Sequence, residues 1–531
     1  MPSREQSFEV SCQGGLDLVS NTLELLKTPG AATTLQNFEP AVNGGYRRIN
    51  GYSKFSALQP DTTANTILGV HTYADGLIAV QQGNLYWSTD GTSWLQINKE
   101  TGVGGQLEAD LEANTNTLVK NTTSRVGFEL YEGLQDYGEV IIYNGINDVS
   151  HFYITGIGGS RKYFYTDLDE ATTSAYSSAI DSEVYNERII LAQGHKVEWS
   201  TRYTSNDFLG ASAGEVDVGE KVIGIKRFRD KLIIFCKRSI HQLQGLDDGP
   251  SLQPIARNIG CLDKNTIQEI GGDLIFLAAD GLRTLAGTAR IDDVELSTIS
   301  HKILPIIRDL LANVNSYELS SIVLRTKNQY RLYYPSPSIS AQDAKGIIGT
   351  LKYTAEGMQW EWSETKGIAP VSLTAEYRNE DIDEDTYFGG YDGYIYKHDY
   401  NTSFNGSNIN AKFKTPDTDF GDIGIQKNLH WLRVSIKPEG EIDLTVKLKF
   451  DYEDSETHQP TAYPILDITT PALFGVAIFN THRFGATLIP NKKVNLEGSG
   501  YSSSFNFFTN DTNPSYNIQS FYIDFIPTQR R

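Results

Sequence analysis

The sequence predicts an all-β chain: a β-propeller with an N-terminal extended arm and an additional C-terminal β-sandwich domain. Three observations carry that prediction. The 531 residues join 29 Tyr and 23 Phe to 47 Gly with only 2 Met; aromatic residues suit half-buried strands, and Gly suits the turns between them. A hairpin signature recurs through the middle of the chain. After residue 405 the texture becomes alternating strand with no helix signal.

The arm comes first, over residues 1–55. From Cys12 to Phe55 it reads CQGGLDLVSNTLELLKTPGAATTLQNFEPAVNGGYRRINGYSKF, punctuated by Gly14-Gly15, Pro29-Gly30 and Gly44-Gly45. Each pair favours a turn, so the segment is ordered without being a domain. The arm is expected not to be needed for closing a propeller, which makes it an expected interface segment. Leu16, Leu18, Leu23, Leu25 and Leu26 are its expected apolar contacts, each worth about 1.5–3 kcal/mol when buried. Arg47 and Arg48 are expected to meet acidic residues across an interface, for about 0–1 kcal/mol if exposed. Removing residues 1–50 is expected to leave a soluble β protein that no longer assembles.

Residues 56–404 are the expected propeller, of six or seven blades. LIAV-QQGN-LYWS (Leu77 to Ser88), IILA-QGHK-VEWS (Ile189 to Ser200), LIIF-CKRS-IHQL (Leu232 to Leu243) and LIFL-AADG-LRTL (Leu274 to Leu285) share one pattern: a nearly continuous apolar run, four turn residues, then an alternating strand. TYFG-GYDG-YIYK (Thr386 to Lys397) is a weaker copy, Val140 to Ile154 a looser one, and RLYY from Arg331 begins another. Recurrence every 40–60 residues fits four-stranded blades, since one hairpin cannot bury both of its faces and a ring of them can. One helix interrupts the strands near 300–314, where Ile303, Ile306, Ile307, Leu310 and Leu311 share a face. Residues 405–531 are the expected sandwich.

Charge and motifs bound the chemistry. A net charge of −20 and a pI near 4.9 repel phosphates at long range, which excludes sequence-specific DNA binding but not a channel through which DNA slides. Cys12, Cys236 and Cys261 are too scattered for a disulfide framework. No signal peptide or apolar membrane span is visible. No two of the nine His lie within four residues of each other, and no GxSxG or Walker loop is present. Ser88 to Trp94 (STDGTSW) is a shortened copy of a structural propeller turn in which the Asp bonds its own backbone. Asp381, Asp383 and Asp385 open like a calcium loop, but Thr386 and Asp392 stand where Gly and Glu are needed. Lys226, Arg227, Arg229, Lys231, Lys237 and Arg238 concentrate positive charge, suited to a phosphate backbone or an acidic partner.

Two stretches carry a resemblance. Val222 to Gly245, with Ile223, Gly224 and Ile225, then Arg229, Asp230 and Ile233 to Phe235, and Val294 to Pro335, with Ser297, Ile299, Ile303 and Leu304, follow the arm in an order that resembles the tail hub or nozzle proteins of short-tailed bacteriophages, also called packaged-DNA stabilisation proteins. The resemblance spans roughly residues 12–400; the C-terminal part matches only in being β-rich. It implies a structural virion protein and not an enzyme: a homohexameric tube in the tail below portal and adaptor, assembled in the host cytoplasm, retaining packaged DNA and forming the channel for its ejection. Its implied partners are the tail adaptor, tail fibre or needle proteins and, transiently, double-stranded DNA, with no cofactor and no stable membrane insertion. The alternative is a receptor-binding or glycan-processing tail propeller, which calls for Trp clustered with Asp or Glu on one face; the six Trp lie mostly inside strand patterns instead.

Overall fold

A computed structural model describes residues 5–98, 105–107, 121–133, 135, 137–156, 160–168, 178–247, 249–290, 298–337, 340–354, 357–377, 384–455, 457–467 and 491–530. The first blade is Ile67–Tyr73, Gly76–Gln81, Asn84–Ser88 and Leu95–Ile97. The second, third and fourth run from Gly127, Asp181 and Val222 in the same antiparallel order. The fifth has three strands, Gln268–Ile270, Asp273–Ala278 and Gly281–Thr284. The last, Ser372–Tyr377, Glu384–Gly389 and Ile395–His398, takes its fourth strand, Tyr52–Lys54, from the arm. These six sheets are self-contained. Between the fifth and the last, the ring is completed by Ser320–Leu324, Gln329–Tyr333, Lys345–Thr354 and Gly357–Lys366, the opening strands of a nine-stranded sheet.

Every hairpin singled out in the sequence is an adjacent antiparallel pair of one of these sheets, central in all but the fifth blade, where Gly281–Thr284 is the edge strand. Their continuous apolar runs have a direct cause, since alternate side chains serve opposite neighbours. Leu232 and Ile234 pack toward the third blade with Ile190 and Val197. Ile233 and Phe235 pack toward the fifth with Leu274 and Phe276. Both faces are dry, so the alternation of a one-sided strand disappears.

The C-terminal residues form a sandwich. Ile409–Lys414, Ser503–Asp511, Ile442–Phe450 and Tyr463–Asp467 continue the nine-stranded sheet. Facing them is a sheet centred on Ile425–Pro438 and Tyr516–Arg530. Leu432, Val434, Val446, Leu448, Phe507 and Phe521 fill the space between.

The arm is built into both bodies. Gln6–Ser11 pairs with Tyr516–Arg530 in the sandwich. Thr34–Gln36 lies between Gly357–Lys366, which it meets in parallel, and Ile409–Lys414, which it meets antiparallel. Phe38–Pro40 and Tyr46–Arg48 extend the facing sheet, and Tyr52–Lys54 closes the last blade. Gly15 has φ +67°, and a Cβ there would lie 2.7 Å from the Trp362 nitrogen; a Cβ on Gly30 would strike the Ser11 carbonyl. Leu16, Leu35, Phe38, Tyr46 and Ile49 are fully buried. Removing residues 1–50 would therefore take Leu16, Leu35, Phe38, Tyr46 and Ile49 out of buried positions, which argues against the expectation that the remainder stays soluble.

The helix comprises a 3-10 turn, His301–Ile303, and an α-helix, Leu304–Ala312, with Pro305 in its first turn, where a missing N–H costs nothing. Ile303, Ile307 and Leu310 are buried in the core shared by the fifth blade, the nine-stranded sheet and the sandwich. Cys12, Cys236 and Cys261 are free and buried.

Candidate functional site

The innermost strands surround an axial cavity of about 270 Å³, to which all seven ring positions contribute. It is polar because inner strands begin with hydrogen-bonding residues that stitch one blade to the next. Asp181 receives the Tyr143 hydroxyl of the second blade at 3.0 Å and the Ile225 N–H of the fourth at 2.8 Å. Lys264, entering the fifth, reaches the Asp181 carboxylate at 3.4 Å and lies 4.4 Å from the Tyr143 ring centroid. Arg125, entering the second blade, spans the ring to donate to the Leu319 carbonyl at 2.6 Å and the Ser320 hydroxyl at 2.7 Å.

Three further charged side chains line it. Lys226 donates to Glu183 at 2.6 Å, and Glu129 accepts from the Val184 N–H at 3.3 Å. Burial and then the Glu183 carboxylate push the Glu129 carboxyl up to about 8, while Lys226 pulls the other way. Burial raises Glu183 too, against the pull of Lys226. Burial opposes the charge on Lys226, yet Glu183 and Glu129 hold it above the usual lysine range. Burial pushes His71 down to about 4; its ring stacks on Phe128 at 5.5 Å. The cavity is small, about 270 Å³. A duplex whose major groove alone is about 12 Å wide cannot pass through it.

The six basic residues do not form one patch. Lys226 is in the cavity, and Arg227 is exposed on the same strand. Arg229, at φ +57° in the turn, donates to the Gly272 carbonyl at 3.2 Å, and Lys231 donates to Gln242 at 2.9 Å. Lys237 and Arg238 are exposed beyond the other end of Lys231–Cys236; at about 3.3 Å per residue that strand separates the two groups by about 20 Å.

The arm residues divide as well. Leu16 and Leu25 are buried and Leu26 is half-buried, whereas Leu18 and Leu23 are 37% and 73% exposed. Arg47 pairs within the chain, with Glu39 at 3.0 Å and Glu439 at 2.6 Å. Arg48 is fully buried and meets the Asp511 carboxylate at 3.0 Å. Both arginines thus tie the arm to the chain's own sandwich.

A second concavity, about 430 Å³, lies where the last blade, the arm and the sandwich meet. Gln36, Asn37, Gln342, Asn405, Asn408 and Asn410 give it an amide-rich lining. The carboxylates facing Lys226 and these amides were both missed in the sequence. The available signals were the acidic inner-strand segments GFE (127–129) and DSE (181–183) and the amide-rich run NTSFNGSNIN (401–410). In STDGTSW, Asp90 does accept from the Thr92 N–H, at 2.8 Å, as a structural turn should. Of the calcium-like aspartates, Asp381 and Asp383 lie outside the described residues, and Asp385 pairs with Lys397 at 2.6 Å. Among the described residues no three His, Cys, Asp or Glu side chains form a metal-holding group.

No family model and no curated protein matches the chain. Among solved structures it is similar to the extracellular domain of B. thetaiotaomicron BT4673, at 11% identity and TM-score 0.37, with 68% of this chain covered and 41% of that one. It is also similar to the Neurospora crassa Pan2 WD40 domain, at 10% identity and TM-score 0.34, covering 67% and 97%, and to Kluyveromyces lactis Hsv2, at 11% and 0.30, covering 57% and 99%. The chain thus spans about two fifths of the first of these proteins.

Proposed function

We propose that the chain is a structural virion protein of the tail nozzle or hub, repeated in a closed ring, six copies in the family it resembles, below portal and adaptor. In this reading it retains packaged DNA and, on infection, forms the wall of the ejection channel. The observation that carries the reading is the splice made by the arm. A wall that holds DNA under pressure must transmit load without bending, and Thr34–Gln36 bridges propeller and sandwich, pairing along its length with Ile409–Lys414 and through Gln36 with Glu364. The narrowness of the axial cavity fits the same picture, since the DNA path then runs between copies and not through a propeller. A net charge of −20 suits a wall that must not hold DNA fast. Ring contacts are heterologous and cyclic, and the exposed Leu18, Val19, Leu23 and Val42 are apolar side chains of the arm available for them.

The test is complementation of particles lacking the protein. The full chain is expected to restore DNA retention and ring density below the adaptor in images of the particle. Particles that keep their DNA without it, or density for it at no ring position, would overturn the reading.

A further inference from the structure

We propose that the cleft between the last blade, the arm and the sandwich binds a short oligosaccharide.

The cleft is preformed. Its floor is held by Asn37, 1% exposed, whose amide nitrogen donates to the Lys366 carbonyl at 3.0 Å and the Asn410 carbonyl at 2.9 Å, and whose amide oxygen accepts from the Lys366 N–H at 2.8 Å. One side chain therefore fixes the propeller wall to the sandwich wall. Behind it Tyr52 stacks on Phe404 at 5.3 Å and donates to the Gly367 carbonyl at 3.3 Å. The loop that forms the rim is set by Asn405, at φ +48°, whose N–H donates to the Tyr52 carbonyl at 2.8 Å. Rigid walls lower the ordering cost that a weakly held polar ligand must overcome.

The rim is exposed and its groups are unspent. Gln342, Asn405, Ser407, Asn410 and Lys412 are exposed, and none has a side-chain hydrogen bond or ion pair among the described residues. An amide offers donors and an acceptor on one planar group. A sugar hydroxyl also donates and accepts, so a row of amides and hydroxyls matches a row of hydroxyls without leaving a charge unpaired. The volume of about 430 Å³ lies in the ordinary range for ligand sites, and such sites favour junctions between bodies.

Other ligand classes fit less well. A divalent cation would find one carboxylate, Asp392, already engaged by the Tyr396 hydroxyl at 2.6 Å. A phosphate ester would find no Arg in the lining, and of its two lysines Lys366 is paired with Asp343 at 2.9 Å. An extended peptide would need an open strand edge, but Ile409–Lys414 is paired on both sides, by Thr34–Gln36 and Ser503–Asp511. The free Lys412 ammonium adds room for a carboxylate on one sugar.

The proposal goes beyond the assembly reading and fails separately from it: a chain that builds rings without binding sugar sinks only the cleft, and one that binds sugar without building rings sinks only the nozzle. The test uses the full chain, titrated calorimetrically with maltotriose, tri-N-acetylchitotriose and trigalacturonate. Saturable binding of at least one, weakened tenfold or more by Gln342→Ala with Asn405→Ala, supports the site. These residues are exposed and outside strands, so an unchanged melting temperature is expected alongside. If the acidic probe binds, Lys412→Met lowers its affinity and leaves the neutral probes unaffected. No saturable binding by any probe, or binding that the double variant leaves intact, overturns the proposal.

Discussion

Glu39→Gln is the sharpest probe of how the arm holds the two bodies together. The Glu39 carboxylate is 2% exposed and accepts from Arg331 at 2.7 Å, Lys327 at 3.0 Å and Arg47 at 3.0 Å. Arg331 itself is fully buried and also meets Asp399 at 3.1 Å, and Lys327 meets Asp399 at 2.7 Å. With Glu439 on Arg47 at 2.6 Å, three carboxylates thus face three cations, and the amide leaves two carboxylates against three. Removing one partner of a buried pair costs about 3–5 kcal/mol, because the other charge stays in the dry interior. Lys327 and Arg47 reach water, so the lower end, about 3 kcal/mol, is expected. Burial alone would raise the Glu39 carboxyl, but Lys327, Arg331 and Arg47 hold it below its ordinary value of 4.5. A depressed carboxyl stabilises the fold above its unfolded value and loses that contribution as pH falls through the folded one. Wild type and variant should therefore differ at pH 7 and converge in strong acid. Urea titration reads the difference, with hydrogen exchange at residues 34–54 and 329–333 to localise it, since a chain of this size need not unfold in one step. Glu39→Met with Arg331→Met should cost less than Glu39→Gln alone, because the two remaining carboxylates then face two cations, Lys327–Asp399 and Arg47–Glu439, with no buried arginine left in excess. A loss under about 1 kcal/mol at pH 7, or a gap that persists in strong acid, would refute the reasoning.

Three further outcomes follow from the same geometry. Glu129 is raised to about 8, so it favours the fold below its unfolded value of 4.5 and loses that contribution as pH climbs through 8; Glu129→Gln should raise the melting temperature relative to wild type at pH 9 and leave it nearly unchanged at pH 4. Gly15→Ala should destabilise the protein by more than the about 1 kcal/mol of an ordinary glycine replacement, since φ is +67° and the Trp362 backbone is 2.7 Å from the new methyl; an unchanged urea midpoint would count against the close approach. Deleting residues 1–11 should leave a folded chain by circular dichroism, because only the edge strand Gln6–Ser11 is lost, whereas deleting 1–50 should give aggregated or partly unfolded material, and a soluble, cooperatively melting product would show that the shared core closes without Leu35, Phe38 and Tyr46.

The parts of this fold that were legible in the sequence are those whose signal is local. Ile189 to Ala192 and Leu232 to Phe235 are continuously apolar because blades press on both faces, and a tight turn follows each within the same dozen residues. The arm was legible only as ordered. Its strand Thr34–Gln36 is three residues long, too short to carry a period, and its partners, near Glu364 and Lys412, lie more than 300 residues on. The same distance hid the ion cluster: Arg47 was visible as a charge next to a turn, but Glu39, Arg331 and Asp399 become its environment only when arm, nine-stranded sheet and last blade converge. The basic run from Lys226 to Arg238 misled in the opposite way, because a hairpin that keeps residues close in sequence sends Lys226 into the axis and Lys237 to the far turn. Sequence proximity predicts shared environment along a helix face or within one turn, and not across the length of a strand. The cleft at the junction follows the same rule: Asn37, Gln342 and Asn405 belong to three separate segments, and the fold brings them to one cleft where Tyr52–Lys54 closes the last blade.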